Sequence, residues 1–533
     1  MSIVRMRKKM QTWFKQFMLV LAVVFAVGWV GVTIGTGGLQ DKGNSLSGAL
    51  AKINRDKVDR RAFETRFYAK LEEMREERLP SAFEEAQIRG QMFDEEVDRI
   101  LRMQAAKKER VRVSRREVGV KINEIITQQI DQEKARLAGR RGGKITEKAF
   151  EAELKKSDLT INKLKGLIRK NIDVNMVRQQ LLNEKLNEKL KKSVNASDKA
   201  IRESYDEVQF SQITIGTQKR SEAQAEQRAK EISEKLKKGA DFAALAKEFS
   251  DDPYKTAGGE RGYPMRRAYM EKVLADAVFG LKPGKISEPV KTPQGYIIVK
   301  LNGRQSTLPA DYNDPKKKKG YRDSYLAQEQ YRVQGEYFDN LLKTAKIVVY
   351  DPELKGYQII KEMSTSFGSS GSAGLESSAE KAIKEFKRAL DMADGSPDVT
   401  ARSYTQIGYL YNWMRKPGLF SSTKEERLKY RDLAKKALES ALEYSESDDL
   451  RLMLADIYIE EGKYAKALEN LEIVTENASE DKAVHTELLK EYNKIKRSQK
   501  VAGLIAQERK WLADYEERTK DQPQAGQFTI PTQ

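Results

Sequence analysis

The rhythm of hydrophobic and polar positions changes several times along the chain. Residues 16–40 carry no charged side chain, and Phe17–Gly35 is almost wholly apolar. At 1.5 Å per residue, about 20 such positions span a hydrocarbon core of roughly 30 Å. The run has no polar face and predicts a membrane-spanning helix over 16–38. Beyond it, Ala51–Ile53 and Val58 flank an Asn54–Asp56 turn and read as short strands. Apolar residues then recur at helical spacing: Phe63, Phe67, Leu71, Met74; then Phe93, Val97, Ile100, Leu101, Ala105. Ser114 and Glu117 have capping-box spacing, and Thr160 precedes Ile161, Leu164 and Ile168 as a cap. Met176, Leu181, Leu182, Leu186 and Leu190 predict a long helix leading out.

From Val208 to Ile215 the period switches to two, predicting a strand. Ala225, Ala229, Ile232 and Leu236 mark a helix ending at Gly239, and Asp241 caps a short one. Gly258, Gly259 and Gly262 mark tight turns, and strands are predicted at 286–290 and 296–301 around the Thr292–Gly295 turn. This strand–helix–helix–strand–strand order predicts a small α+β domain over 205–304. Residues 305–352 read as a loop followed by a helix carrying Leu326, Val333, Tyr337 and Leu341. The run Lys316–Lys319 falls in the expected loop. The Gly/Ser-rich stretch predicts a linker over 353–378. Arg451, Leu454, Ala455, Tyr458, Ala467 and Leu471 recur about 34 residues later as His485, Leu488, Leu489 and Tyr492, the period of a helical-hairpin repeat. Repeats are therefore expected over 379–515, and a disordered tail over 516–533. The expected fold class is mostly α with one α+β domain.

Composition narrows the chemistry. The 533 residues include no cysteine and a single histidine, His485. Disulfides, zinc–thiolate sites, iron–sulfur clusters and thiol nucleophiles are excluded, and no metal or cofactor is expected. With 98 Lys+Arg against 80 Asp+Glu the net charge is +18, and mean hydropathy is −0.69. No basic patch interleaved with aromatics stands out, so nucleic acid is not an expected partner. Arg5, Arg7, Lys8, Lys9 and Lys15 precede the apolar run without an acid. The positive-inside rule keeps residues 1–15 in the cytosol and exports the rest as a single-pass protein of a bacterial inner membrane. A cleaved signal peptide is the alternative; the run is long for one.

The segments AKINRDKVDRRAFETRF, FDEEVDRILRMQAAKKERVRVSRREV, FEAELKKSDLTINKLKGLIRKNI and VNASDKAIRESYDE, in that order, resemble the N-terminal chaperone domain of SurA/PrsA/PpiD-like exported foldases. The resemblance places that domain at 45–204 and implies that the helix in 305–352 returns to complete it. GADFAALAKEFSDDPYKTAGGERGYP, ADAVFGLKPGKISEPV and TPQGYIIVKL resemble the signatures of parvulin-type peptidyl-prolyl isomerases. The helical repeats resemble tetratricopeptide repeats. The resemblance implies a foldase that takes unfolded, newly exported chains with X–Pro bonds, and repeats that hold an export-channel or envelope partner. It puts Met270 and Leu274 at the proline seat, Asp252 beside the twisting amide and Thr292 at a strand-end hydroxyl. Where the family commonly has paired histidines, this chain has Gln212 and Ile297. Two readings stay open: an isomerase of reduced activity, with Asp252, Gln212 and Thr292 as its polar groups, and a non-enzymatic peptide-binding scaffold. Met270 and Leu274 also read as plain core residues, and Asp252 before Pro253 as a turn residue.

Overall fold

The computed structural model describes residues 48–520, apart from 76–78, 142–144, 158, 218–219, 366–371, 419, 421–422, 479–480 and 496–498. The expected membrane span at 16–38 lies outside the described residues. Among the described residues no helix is long and apolar enough to cross a membrane. The strands are β1 (Ala49–Ile53), β2 (Asp56–Asp59), β3 (Asp206–Gly216), β4 (Met265–Arg266), β5 (Val290–Thr292), β6 (Gly295–Ser306) and β7 (Ile347–Val349); helices fill most of the rest. The chain forms two compact units, whose described parts are 53–56 with 96–346, and 48–52 with 57–95 and 347–520.

In the first unit, helix Arg115–Arg141 opens on the expected capping box. The Glu117 N–H donates to Ser114 Oγ at 3.3 Å, and the Ser114 N–H donates to Glu117 Oε2 at 2.8 Å. Its Val118, Ile122, Ile126 and Ile130 form a stripe spaced by four, which meets Phe150, Leu154, Leu164 and Ile168. Thr160 caps helix Ile161–Asn171 by accepting the Lys163 N–H at 3.2 Å. Helix Pro315–Thr344 lays Tyr337, Phe338 and Leu341 against Ala105, Ala106, Leu186 and Leu190. This helix corrects one expectation: Lys316–Lys319 are helical, not part of a loop. Pro315 occupies the first helical position, where its missing N–H and fixed φ cost nothing, and Asp314 accepts the Lys316 N–H at 2.9 Å.

In the second unit, β1, β2 and β7 form a three-stranded sheet in the order β2-β1-β7. Of the linker expected at 353–378, Pro352–Thr365 is helical and so is the chain from Ser372, while residues 366–371, which hold most of the Gly/Ser run, lie outside the described residues. Pro352 starts the first of these helices, Asp351 caps it through the Leu354 N–H at 3.0 Å, and Leu354, Gly356 and Met363 are buried. Eight helices between Pro352 and Thr519, among the described residues, pack each against the next in sequence around one core. Gly408 permits one close approach: a Cβ there would stand 2.6 Å from Leu438 Cδ2. His485 is a packing residue, with Nδ1 2.6 Å from Glu508 Oε2 and its ring stacked on Trp511 at 3.5 Å. The last helix runs to Thr519, past the expected start of the tail at 516, because Tyr515 stacks on Trp511.

The same unit buries a charge cluster. Arg89 donates to Asp351 at 2.9 and 3.2 Å and to Glu64 at 2.6 Å. Arg402 forks onto Glu353 at 2.9 and 3.1 Å, and Arg60 reaches Asp351 at 2.7 Å.

Candidate functional site

The sheet of the first unit has the order β4-β3-β6-β5, and its pairs are antiparallel. In the β3–β6 register Gln212 stands opposite Val299 and Thr214 opposite Ile297. Strand alternation gives β3 two faces. Ile213 and Ile215 pack with helices Glu222–Lys237 and Phe242–Phe249. The other face carries Phe210, Gln212 and Thr214. There Val208, Phe210, Ile297, Val299 and Leu301 form an apolar floor, against which Met265, Met270, Leu274 and Val290 pack.

Asp252 is brought to this face by stitching along Ser250–Asp252. The Thr214 N–H donates to Ser250 Oγ at 2.9 Å, the Asp251 N–H to the Thr214 carbonyl at 2.8 Å, and the Gly216 N–H to Asp251 Oδ2 at 2.9 Å. Pro253 then starts a 3-10 turn over Pro253–Ala257, which Asp252 Oδ1 caps by accepting the Tyr254 N–H at 2.9 Å. Oδ2 faces the sheet, accepting from Thr214 Oγ1 at 2.7 Å and Gln212 Nε2 at 2.9 Å. Asp252 is therefore both a turn residue and the centre of a polar cluster. An ionised carboxylate only accepts, so it fixes the Gln212 amide with its NH₂ toward Asp252. Gln212 Oε1 is left buried without a hydrogen-bond partner among the described residues.

Gly259 closes the site from the far side. The Gln212 N–H donates to its carbonyl at 2.8 Å, its φ is +84°, and a Cβ there would stand 2.3 Å from the Gln212 carbonyl oxygen. Gly259→Ala combines a left-handed backbone with a clash against backbone that cannot give way. A loss of about 1–3 kcal/mol is expected, read as a lower denaturation midpoint of the first unit.

Gln212 and Asp252, picked from sequence, are thus in contact, and Met270 and Leu274 lie half-buried on the adjoining apolar cluster. Thr292 closes the β5–β6 turn, its hydroxyl donating to the Gly295 carbonyl at 3.2 Å; none of the hydrogen bonds around Asp252 comes from it. Sequence reasoning missed Thr214, although its alternation with Gln212 along β3 placed it on the same face. It also missed Tyr254, Arg261 and Tyr263. The Arg261 guanidinium lies 5.3 Å over the Phe210 ring and 5.0 Å over the Tyr254 ring, and Nη2 donates to Tyr254 Oη at 3.4 Å. Hydrogen bonding with Tyr263, then Arg261, draws the Tyr254 phenol below its ordinary pKa.

The domain is thus a four-stranded antiparallel sheet on which one carboxylate, Asp252, adjoins an apolar cluster, and comparison with known proteins identifies it as a rotamase domain. Residues 185–303 match the PPIC-type peptidyl-prolyl isomerase domain, and residues 3–181 match the SurA-like N-terminal domain. The chain is 33% identical over 223 residues to the foldase protein PrsA of Caldanaerobacter subterraneus subsp. tengcongensis, covering 40% of this chain and 70% of that protein. It is 35% identical over 231 residues to foldase protein PrsA 4 of Bacillus cereus, covering 40% of this chain and 77% of that protein. A solved peptidylprolyl isomerase (PrsA) from Bacillus anthracis is 24% identical, covers 47% of this chain and 96% of that chain, and superposes with a TM-score of 0.23. The chain belongs to the PrsA foldase family.

Proposed function

We propose that this chain is a membrane-anchored, extracytoplasmic foldase whose isomerase groove is built by Asp252, Gln212, Met270 and Leu274. The carrying observation is the juxtaposition on one face of β3: a carboxylate held by Thr214 and Gln212 adjoins an apolar surface containing Phe210, Met270 and Leu274. Rotation about an X–Pro bond faces a barrier of about 18–20 kcal/mol, because resonance places negative charge on the carbonyl oxygen and double-bond character in C–N. An apolar seat holds the proline ring and lowers the local dielectric. A negative group facing the carbonyl opposes the charge-separated resonance form. The planar amide is thereby raised in energy relative to the twisted one, in which that form is lost. No bond is made or cut, so no nucleophile is needed.

The apolar run at 16–38 supplies the anchor in this reading, with residues 1–15 cytosolic. The stacked helices of the second unit act as tetratricopeptide-like repeats whose surface recruits an envelope partner. Unfolded exported chains are the clients. Ile297 favours a second reading: buried against β3 where the parvulin resemblance expects a histidine, it leaves no imidazole pair across the sheet, as suits a groove that only binds peptide.

The test is a proline-isomerisation assay on the full chain in detergent, run beside suppression of aggregation of an unfolded client. Accelerated isomerisation together with suppressed aggregation is expected. Suppressed aggregation with no acceleration above background would leave only the binding scaffold.

A further inference from the structure

The isomerase groove contains a cation that no carboxylate neutralises among the described residues. Three cations that follow it in the sequence are paired: Arg266 with Glu207 at 3.1 Å, Arg267 with Asp276 at 2.6 Å, and Lys272 with Asp276 at 2.7 Å. Arg261 has no carboxylate partner among the described residues. Among the described residues its only polar contact is the long bond to Tyr254 Oη, and its Nε is buried without a hydrogen-bond partner. It is nevertheless held in place, with its guanidinium over the fully buried Phe210 on one side and over Tyr254 on the other. Such stacking fixes a planar guanidinium without using its N–H groups.

The two rings also locate it. Phe210 belongs to the apolar cluster that includes Met270 and Leu274, while the Tyr254 N–H is bound to Asp252. Arg261 therefore adjoins the apolar cluster of the proposed seat through Phe210 and the turn capped by Asp252 through Tyr254. With proline on that cluster and its amide at Asp252, as proposed above, the side chain of X lies on the Asp252 side of the seat, where Tyr254 carries Arg261. A pre-oriented, partly dehydrated guanidinium with unused donors matches one ligand class, a carboxylate, which it binds through charge-assisted hydrogen bonds.

The geometry points to an anion subsite in the groove: Arg261 selects client segments in which an acidic residue immediately precedes proline. Glu–Pro and Asp–Pro bonds are then the preferred substrates, and Lys–Pro the poorest. Arg261 is a specificity residue here; the rotation itself stays with Asp252 and the apolar seat. This inference rests on the groove assigned under the proposed function, so its test reads binding and turnover separately.

The experiment uses the full chain and a set of short peptides identical except for X: Glu, Gln, Ala or Lys before proline. Isomerisation rates and the affinities of fluorescently labelled copies are both measured. Glu is expected to exceed Gln by about fivefold at low salt, the scale of a partly exposed charge pair, and high salt should compress the ratio. Arg261→Gln and Arg261→Leu should bring the ratio to about 1, and Arg261→Lys should keep part of it, as a point charge without the fork. Melting curves confirm that each variant is folded, and the glutamine variant serves if the leucine variant is not. A wild-type Glu:Gln ratio of 1 in both measurements, or a ratio that survives Arg261→Gln, overturns the proposal. Absence of turnover on every peptide overturns the isomerase reading instead, and the Glu:Gln affinity ratio still decides the subsite.

Discussion

Arg89→Leu is expected to destabilise the second unit by about 3–5 kcal/mol, because it removes the cation from a buried cluster and strands its carboxylates. Arg89 is 3% exposed and Asp351 4% exposed. Burial alone would raise the Asp351 carboxyl, but the Arg89 charge and hydrogen bonds, with Arg60, hold it well below the ordinary carboxylate range. The sign of the pH dependence follows. A carboxyl depressed on folding contributes stability that is fully present above its unfolded pKa of about 3.9 and is lost as pH falls through the folded value. The wild-type midpoint should therefore fall on acidification below about pH 4, and Arg89→Leu should flatten that dependence while lowering stability at neutral pH. Equilibrium denaturation in a Trp13→Phe, Trp29→Phe background reads this unit, since the remaining tryptophans are Trp413 and Trp511. An Arg89→Leu midpoint equal to that of the parent would reject the account. Arg402→Met tests the neighbouring fork on Glu353 in the same way.

The second large effect is on turnover. Asp252→Ala should lower kcat/KM for X–Pro isomerisation on the order of 10²-fold, the scale on which a preorganised electrostatic contact is lost. In the proposed groove the substitution removes the negative charge facing the amide, and it takes from the Gln212 amide and the Thr214 hydroxyl the carboxylate that accepts from them. Asp252→Asn separates the contributions: its carbonyl oxygen still accepts one of these donors, but the charge is gone. A rate near that of alanine assigns the effect to charge, and a rate near wild type assigns it to positioning. Because Oδ1 also caps the Pro253–Ala257 turn, Tyr254 must be shown undisturbed, for which an unchanged Arg261-dependent Glu:Gln ratio is the control. Full activity in Asp252→Ala would remove Asp252 from the site.

Much of this was legible along the chain because it is local. Strand alternation placed Gln212 on β3, and the tight turns read from Gly258, Gly259 and Gly262 have positive φ. Helix caps at Ser114, Thr160 and Asp241 depend on residues three apart, so short-range chemistry settles them. The misreadings came where local composition met a burial it could not foresee. Pro352–Thr365 is helical because Leu354 and Met363 found a core, and the lysine run is helical because Asp314 and Pro315 start a helix whose far end packs on Ala105 and Leu186.

The sequence by itself determined the absence of thiol chemistry, which is a matter of residue type, and the strand and helix caps that rest on short-range spacing. Tertiary structure decided the rest. It put Thr214 on the free oxygen of Asp252, stacked Arg261 between Phe210 and Tyr254, and enclosed Arg89 among carboxylates up to 262 residues away. Which partners meet, and which polar atom is left unpaired, depends on how distant faces come together, and no short-range pattern in the chain encodes that.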